Sequence, residues 1–196
     1  MPDYNWAERD DWEAAWQPVI DAIGEDFGGG AVQEAVDDIE KGLVRRFLEP
    51  LELDCPLHYD EEVAKAHGYP GIIAPYSGLA TWTSTGVWNP GDEPVYTSAE
   101  RNAQPRYRGM GRGRPLPGPD TNSAFATDVE YEYFAPFVVG DRLSQSGRRL
   151  LSCLPKETSV GRGAFVVFES DVHNQRGELV AKVRLGLYNY VSRQRQ

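Results

Sequence analysis

The sequence is poor in the residues that build metal centres and disulfide frameworks. Its 196 residues include two cysteines, Cys55 and Cys153, and three histidines, His58, His67 and His173. No zinc-type spacing is present, and at most one disulfide can form. No metal ion or cofactor is expected. Basic residues are also short, with 20 Lys and Arg against 30 Asp and Glu and a net charge of −10. That balance excludes sequence-independent nucleic-acid binding, which needs a basic surface, while leaving room for a local basic patch. No apolar run reaches the length of a membrane span, and the first residues are polar and acidic, without the apolar stretch of a signal peptide. A reducing cytoplasm is the expected location.

A hydrophobic content of 40% beside 26% charged residues is that of a globular domain, and the length suits one. Residues 1–30 read as an acidic helical extension. Trp6, Trp12, Trp16, Val19, Ile20 and Ile23 recur at roughly helical spacing, and three glycines follow at 28–30. The remainder, 31–196, reads as a single domain. A helix is expected over about 40–48, stopped near Pro50, and another over 60–67, with Asp60 as cap and Gly68 past its end. From Gly71 to the residue before Asp92 no charge occurs. A chain this polar keeps such a stretch uncharged where it is buried, so a helix enclosed on all sides is expected from Pro75 or Ser77 to Asn89. Residues 89–123 form a Pro/Gly-rich insert carrying Arg101, Arg106, Arg108, Arg112 and Arg114. Beyond it the period changes to two. Phe125, Thr127, Val129, Tyr131 and Tyr133 alternate with Ala126, Asp128, Glu130 and Glu132. Further strands are expected at about 142–154, from 164, and over 179–190, with a hairpin turn at 174–177. Helices first and an antiparallel meander after them make an α+β fold, most simply a sheet curled around one apolar helix.

Three stretches resemble a known family. Pro56-Leu57-His58-Tyr59-Asp60, with Gly71-Ile72-Ile73-Ala74-Pro75 after it, is similar to the hydratase segment of MaoC-like proteins. Phe134-Ala135-Pro136-Phe137-Val138-Val139-Gly140-Asp141 resembles that family's strand entry, and 165–181 resembles its closing hairpin. The long insert is similar to the N-terminal dehydratase halves of the superfamily. The resemblance spans about residues 20–190. It implies a hotdog fold, a CoA or carrier-protein thioester substrate, and reversible addition of water to a 2-enoyl thioester. It also implies a second hotdog subunit, in a homodimer, a fused pair or a heterodimer in which one half is catalytic.

Such hydration needs a base to activate water, an acid to protonate C2, and a donor for the thioester oxygen as it gains charge. In the family an Asp and a His separated by four residues hold the water. His58 matches the histidine, and Leu53 stands where the aspartate is expected, flanked by Glu52 and Asp54. Three readings stay open: Asp54 replaces the missing acid beside His58; a partner chain carries the intact pair; or His58 is an ordinary loop histidine. Tyr76, Ser77 and Gly78, just after Pro75, are the candidates to offer amides to the thioester oxygen. Arg106 and Arg108 are candidates for CoA phosphates. Cys55 reads as a small buried thiol. The competing functions are a non-catalytic acyl-thioester scaffold and a hotdog thioesterase, the latter disfavoured because the apolar helix carries no carboxylate.

Overall fold

In a computed structural model of the chain, which describes residues 2–103 and 113–193, the alternating segments form one antiparallel sheet. A short strand, β1 (Val32–Glu34), precedes four long ones: β2 (Ser123–Tyr133), β3 (Ser144–Glu157), β4 (Gly161–His173) and β5 (Leu179–Ser192). Their order is β1-β3-β4-β5-β2, so β2 is a free edge. Three residues are too few to leave a periodic signal, and β1 is not legible in the sequence. The helices are α1 (Gln17–Asp21), α2 (Lys41–Leu48), α3 (Glu61–Ala66) and α4 (Leu79–Trp82). No helix among the described residues is long and apolar enough to cross a membrane.

Local signals explain most of these bounds. The Asp60 carboxylate accepts the amides of Glu62 and Val63 and starts α3. The β4–β5 turn closes through Asn174, whose amide donates to the Glu178 carbonyl and whose side-chain oxygen accepts from Arg176 and Glu178, with Gly177 at φ 76°.

Two expectations fail in an informative way. The N-terminal segment is not one amphipathic helix but two 3-10 turns, Asn5–Glu8 and Trp12–Trp16, followed by α1. Its apolar residues still converge. Trp6, Trp12, Trp16 and Val19 bury themselves with Leu150, Ala164, Val166 and Phe168 on the sheet. The Arg162 guanidinium ties the segment down by donating to the carbonyls of Ala7 and Arg9. The second failure concerns the charge-free stretch. Helical geometry lasts only from a 3-10 turn, Tyr76–Gly78, through α4, and ends at Thr83. Thr83 Oγ1 and Ser84 Oγ turn back onto the carbonyls of Leu79 and Ala80, both at 3.0 Å. Such back-bonding, with β-branched threonines and Gly86 beyond, offers little to propagate a helix. Nor is the turn enclosed. Gly78, Leu79 and Trp82 face the core, whereas Ala80 and Thr81 are exposed.

The core therefore has two centres on the inner face of the sheet. One gathers α2 and α4 through Val44, Leu48, Leu79 and Trp82 over Val172 and Ala181. The other is the tryptophan segment. The opposite face carries the buried Glu169 with Lys182 at 3.1 Å and Arg184 at 3.0 Å. Burial pushes the Glu169 carboxyl up, but the hydrogen bonds from Lys182 and Arg184 outweigh it and hold it below the usual range.

Asp141, 1% exposed, secures the entry to β3. One carboxylate oxygen accepts the Val138 amide at 2.9 Å; the other accepts Arg176 at 2.8 Å and Gln175 at 3.1 Å. Asp141→Ala strands a buried amide and is expected to cost about 2 kcal/mol in urea unfolding. A loss below about 0.5 kcal/mol would contradict this account.

Candidate functional site

His58 closes a short 3-10 turn, Pro56–His58, in which Pro56 fixes the entry. Its Nδ1 lies 2.7 Å from the Ile73 carbonyl. A carbonyl only accepts, so in the neutral ring Nδ1 carries the proton and Nε2 is left as the basic nitrogen. The Ile73 amide donates back to the Leu57 carbonyl at 3.1 Å. The pair clasps the loop to the buried stretch 71–75 that leads into the α4 turn. No hydrogen bond or ion pair joins His58 to Asp54 or Glu52 among the described residues, and both acids are exposed. Leu53 is 41% exposed, and its carbonyl accepts the Tyr59 hydroxyl at 2.8 Å. The loop thus brings His58 to the helix entry without bringing a carboxylate to His58.

The turn at Tyr76–Gly78 is built around Trp82. Its indole Nε1 donates to the Pro75 carbonyl at 2.9 Å, and the Gly78 amide donates to the same carbonyl at 3.0 Å. A Cβ on Gly78 would stand 2.7 Å from the Trp82 ring, so only glycine lets the indole close down there. The Gly78 amide is therefore already used, while those of Tyr76 and Ser77 find no acceptor among the described residues. Tyr76 stacks on Tyr133 at 4.7 Å, and the Tyr133 hydroxyl donates to the Tyr76 carbonyl. Burial pushes both phenols above their ordinary pKa.

Because α4 is one turn long, much of the inner sheet face beyond it has no helix over it. Two adjoining cavities occupy that place. One, about 320 Å³, runs from Leu79, Ala80 and Thr83 to Tyr131, Gln145 and Val183. The other, about 600 Å³, shares those last three walls and continues over Val129, Phe168, Leu185 and Leu187 to Arg148 and Gly28. Both volumes lie in the range of small-molecule sites, and the larger has the apolar lining with few polar groups typical of them. His58 and Asp54 line neither. Strand periodicity marks these residues as half-buried, but nothing local to them says that the helix above stops short.

Arg106 and Arg108 lie outside the described residues. Arg114 is committed within the chain: it ion-pairs with Glu25 and its guanidinium lies 4.4 Å from the centre of the Phe27 ring. Both cysteines are free thiols, and burial pushes Cys153 up to about 11, leaving it inert at neutral pH. No group of three His, Cys, Asp or Glu able to hold a metal is found among the described residues.

Residues 22–183 match the description of a FAS1-like dehydratase domain region. The chain belongs to that family. Its fold is the hotdog fold that MaoC-like dehydratases share. Among curated proteins it is 28% identical over 162 residues to a probable enoyl-CoA hydratase alpha subunit of Thermomonospora curvata, covering 82% of this chain and 48% of that one. It is 25% identical over 134 residues to the 3-oxo-4,17-pregnadiene-20-carboxyl-CoA hydratase alpha subunit of Mycobacterium tuberculosis, covering 67% of this chain and 39% of that one. The chain thus spans less than half the length of these relatives. Among solved structures, the ChsH1-ChsH2 complex from M. tuberculosis superposes with a TM-score of 0.60 at 20% identity, over 94% of each chain. The MaoC-like dehydratase from Rhodospirillum rubrum gives 0.51 at 20% identity, over 84% of this chain and 94% of that one. At these identities the likeness is one of fold.

In this FAS1-like dehydratase chain the tightest constraint near the site is the Gly78–Trp82 contact. Gly78→Ala is expected to displace the indole, break its bond to Pro75 and lower stability by roughly 1–3 kcal/mol in chemical denaturation. An unchanged midpoint would mean that the indole has room to move.

Proposed function

We propose that this chain is the substrate-holding half of an enoyl-thioester hydratase, with a second hotdog subunit supplying the Asp/His pair that activates water. The observation that carries the reading is the separation of His58 from any carboxylate, beside an acyl-sized groove that His58 does not line. Leu53 occupies the position of the acid, and Asp54 points to solvent. The groove suits the tail of a bulky acyl group, since the short α4 leaves the sheet open over several residues of β5. That one relative is named as hydrating a steroid CoA ester supports a polycyclic or similarly wide tail here. The amides of Tyr76 and Ser77 are proposed to serve the thioester oxygen. Arg106 and Arg108, outside the described residues, are proposed to meet CoA phosphates.

Two features support a hotdog partner. β2 is an eleven-residue edge strand exposed almost throughout, and Phe125 and Val129 on it are 45% and 46% exposed. An edge of this length presents a row of unpaired backbone groups that a strand of another chain can pair with. The exposed side of the turn at Ala80 and Thr81, and the segment up to Gly91, carry no charge, which fits burial in an assembly better than exposure to water.

A second reading, in which His58 acts as the base with Asp54, is favoured by one observation: donation from Nδ1 to Ile73 leaves Nε2 able to take a proton. A single assay separates the two. Hydration of enoyl-CoA substrates is expected to be absent with the purified chain alone and to appear when a hotdog partner with an intact Asp/His pair is added. His58→Ala is expected to lower the activity of that complex less than threefold. A general base contributes roughly 100-fold or more, so a loss of that size in His58→Ala, or activity of the lone chain that His58→Ala removes, would establish the second reading. Release of free CoA without hydration would instead point to a thioesterase.

A further inference from the structure

β1 runs against the pattern of a strand that covers a core. Its polar residue, Gln33, is the half-buried one, while Val32 is 60% exposed and Glu34 faces solvent. Alternation therefore puts Gln33 on the inner face of the sheet. Directly opposite it in the ladder stands Gln145 of β3, so the two side chains share that face. Gln145 pairs on its other side with Val172 of the core. Two carboxamides thus stand side by side at positions where β4 and β5 present Val172, Val183 and Leu185. Farther along β3 a bulge follows. Ser146 pairs with Asp171 and Arg149 with Glu169, so three steps along β3 answer two along β4, with Gly147 at φ 74°. The extra residue brings Arg148 round to the inner face, where its guanidinium lies 4.0 Å from the centre of the Phe168 ring.

Gln145 lines both cavities and Gln33 the larger one. Neither carboxamide makes a hydrogen bond to the other or to any other of the described residues. Ser170, which shares the larger cavity, differs: its hydroxyl donates to the Gly147 carbonyl at 2.9 Å. The place of the pair is also set. β4 and β5 lie between β3 and β2, so Gln145 is three strand spacings, about 14 Å along the sheet, from Tyr131. Tyr131 stacks on Tyr133, and Tyr133 on Tyr76. These rings lead from the turn at Tyr76 to the β2 side of the groove, and the carboxamides stand on its far side. No carboxylate among the described residues lines either cavity, so a cationic group would find no counter-charge there. A carboxamide is neutral and both donates and accepts, which suits an uncharged oxygen.

We propose that Gln145, with Gln33 beside it, determines the specificity of the groove, and that the pair receives an uncharged oxygen, of a hydroxyl or a ketone, at the far end of the acyl tail. This rests on the reading of the groove as the acyl site. A wholly apolar tail that covers the pair strips water from both carboxamides and returns no hydrogen bond. A tail with an oxygen at that place restores one. Polar residues at core-facing strand positions weaken a core unless they serve a ligand, and here two of them meet at one end of a groove.

The test uses three saturated decalin-alkanoyl-CoA esters that share one skeleton and differ at the distal ring position: unsubstituted, hydroxyl or ketone. Binding to the full chain, together with any partner it copurifies with, is followed by calorimetry. The chain is expected to bind the hydroxyl or the ketone ester roughly tenfold more tightly than the plain one, and the two arms identify which oxygen is preferred. The double variant Gln33→Met, Gln145→Met is expected to bind all three esters within about twofold of one another. Its urea midpoint is expected to be no lower than that of the parent chain, since neither side chain has a hydrogen bond to lose. Ser146→Ala, next to Gln145 on the opposite face, is expected to keep the preference. Equal affinity of the unaltered chain for all three esters, or a preference that survives the double variant, overturns the proposal and leaves the groove reading standing. Failure of even the plain ester to bind overturns the groove reading and this proposal with it.

Discussion

The whole arrangement depends on a mismatch of lengths. The four long strands of the sheet have eleven to fourteen residues, and α4, packed on their inner face beside α2, has four. A strand of that length extends about 40 Å, whereas four helical residues rise about 6 Å. A helix that short leaves apolar sheet uncovered, and the molecule answers in two ways. The tryptophan segment folds over one end, where Trp16 and Val19 bury Ala164 and Val166. Between that segment and α4 the groove remains. The N-terminal extension is thus part of the same core as the sheet.

The helix is short for local reasons, and it is anchored in place by equally local ones. Thr83 and Ser84 cap the turn by bonding back to it, and the Trp82 indole pins its start through the Pro75 carbonyl. His58 adds a clasp from the preceding loop. These contacts hold the entry of the turn firmly while its far end stops, so the open face lies consistently on one side of it. The polar architecture follows the same division. Ion pairs around Glu169 occupy the outer face, and a single inserted residue near Gly147 moves one arginine to the inner face.

Much of the fold was legible in the sequence because it rests on short-range rules. Asp60 caps α3 where a capping residue followed by two glutamates predicts it. The first long strand follows from period-two alternation over 125–133, the later ones from the turn signals and apolar runs that bound them, and the hairpin at 174–177 from its Asn and Gly. The family resemblance likewise rests on contiguous residues such as Gly140-Asp141, where the buried carboxylate does structural work. At the site, the resemblance implies an aspartate five positions before His58, where the sequence has Leu53.

What misled was length and enclosure. Absence of charge from 71 to 91 predicts burial, but charge says nothing of whether the cover comes from the same chain, and the turn that ends α4 depends on hydroxyls whose alternatives are decided by packing. The tryptophans declared a buried surface without declaring which face they would cover. The sequence by itself determined the long strands and the caps, because each depends on neighbours within a few residues. Only the tertiary structure decided that His58 bonds a backbone carbonyl, that a groove opens beyond α4, and that Arg148 faces into it, because each of these depends on register and on contacts between segments far apart in the chain.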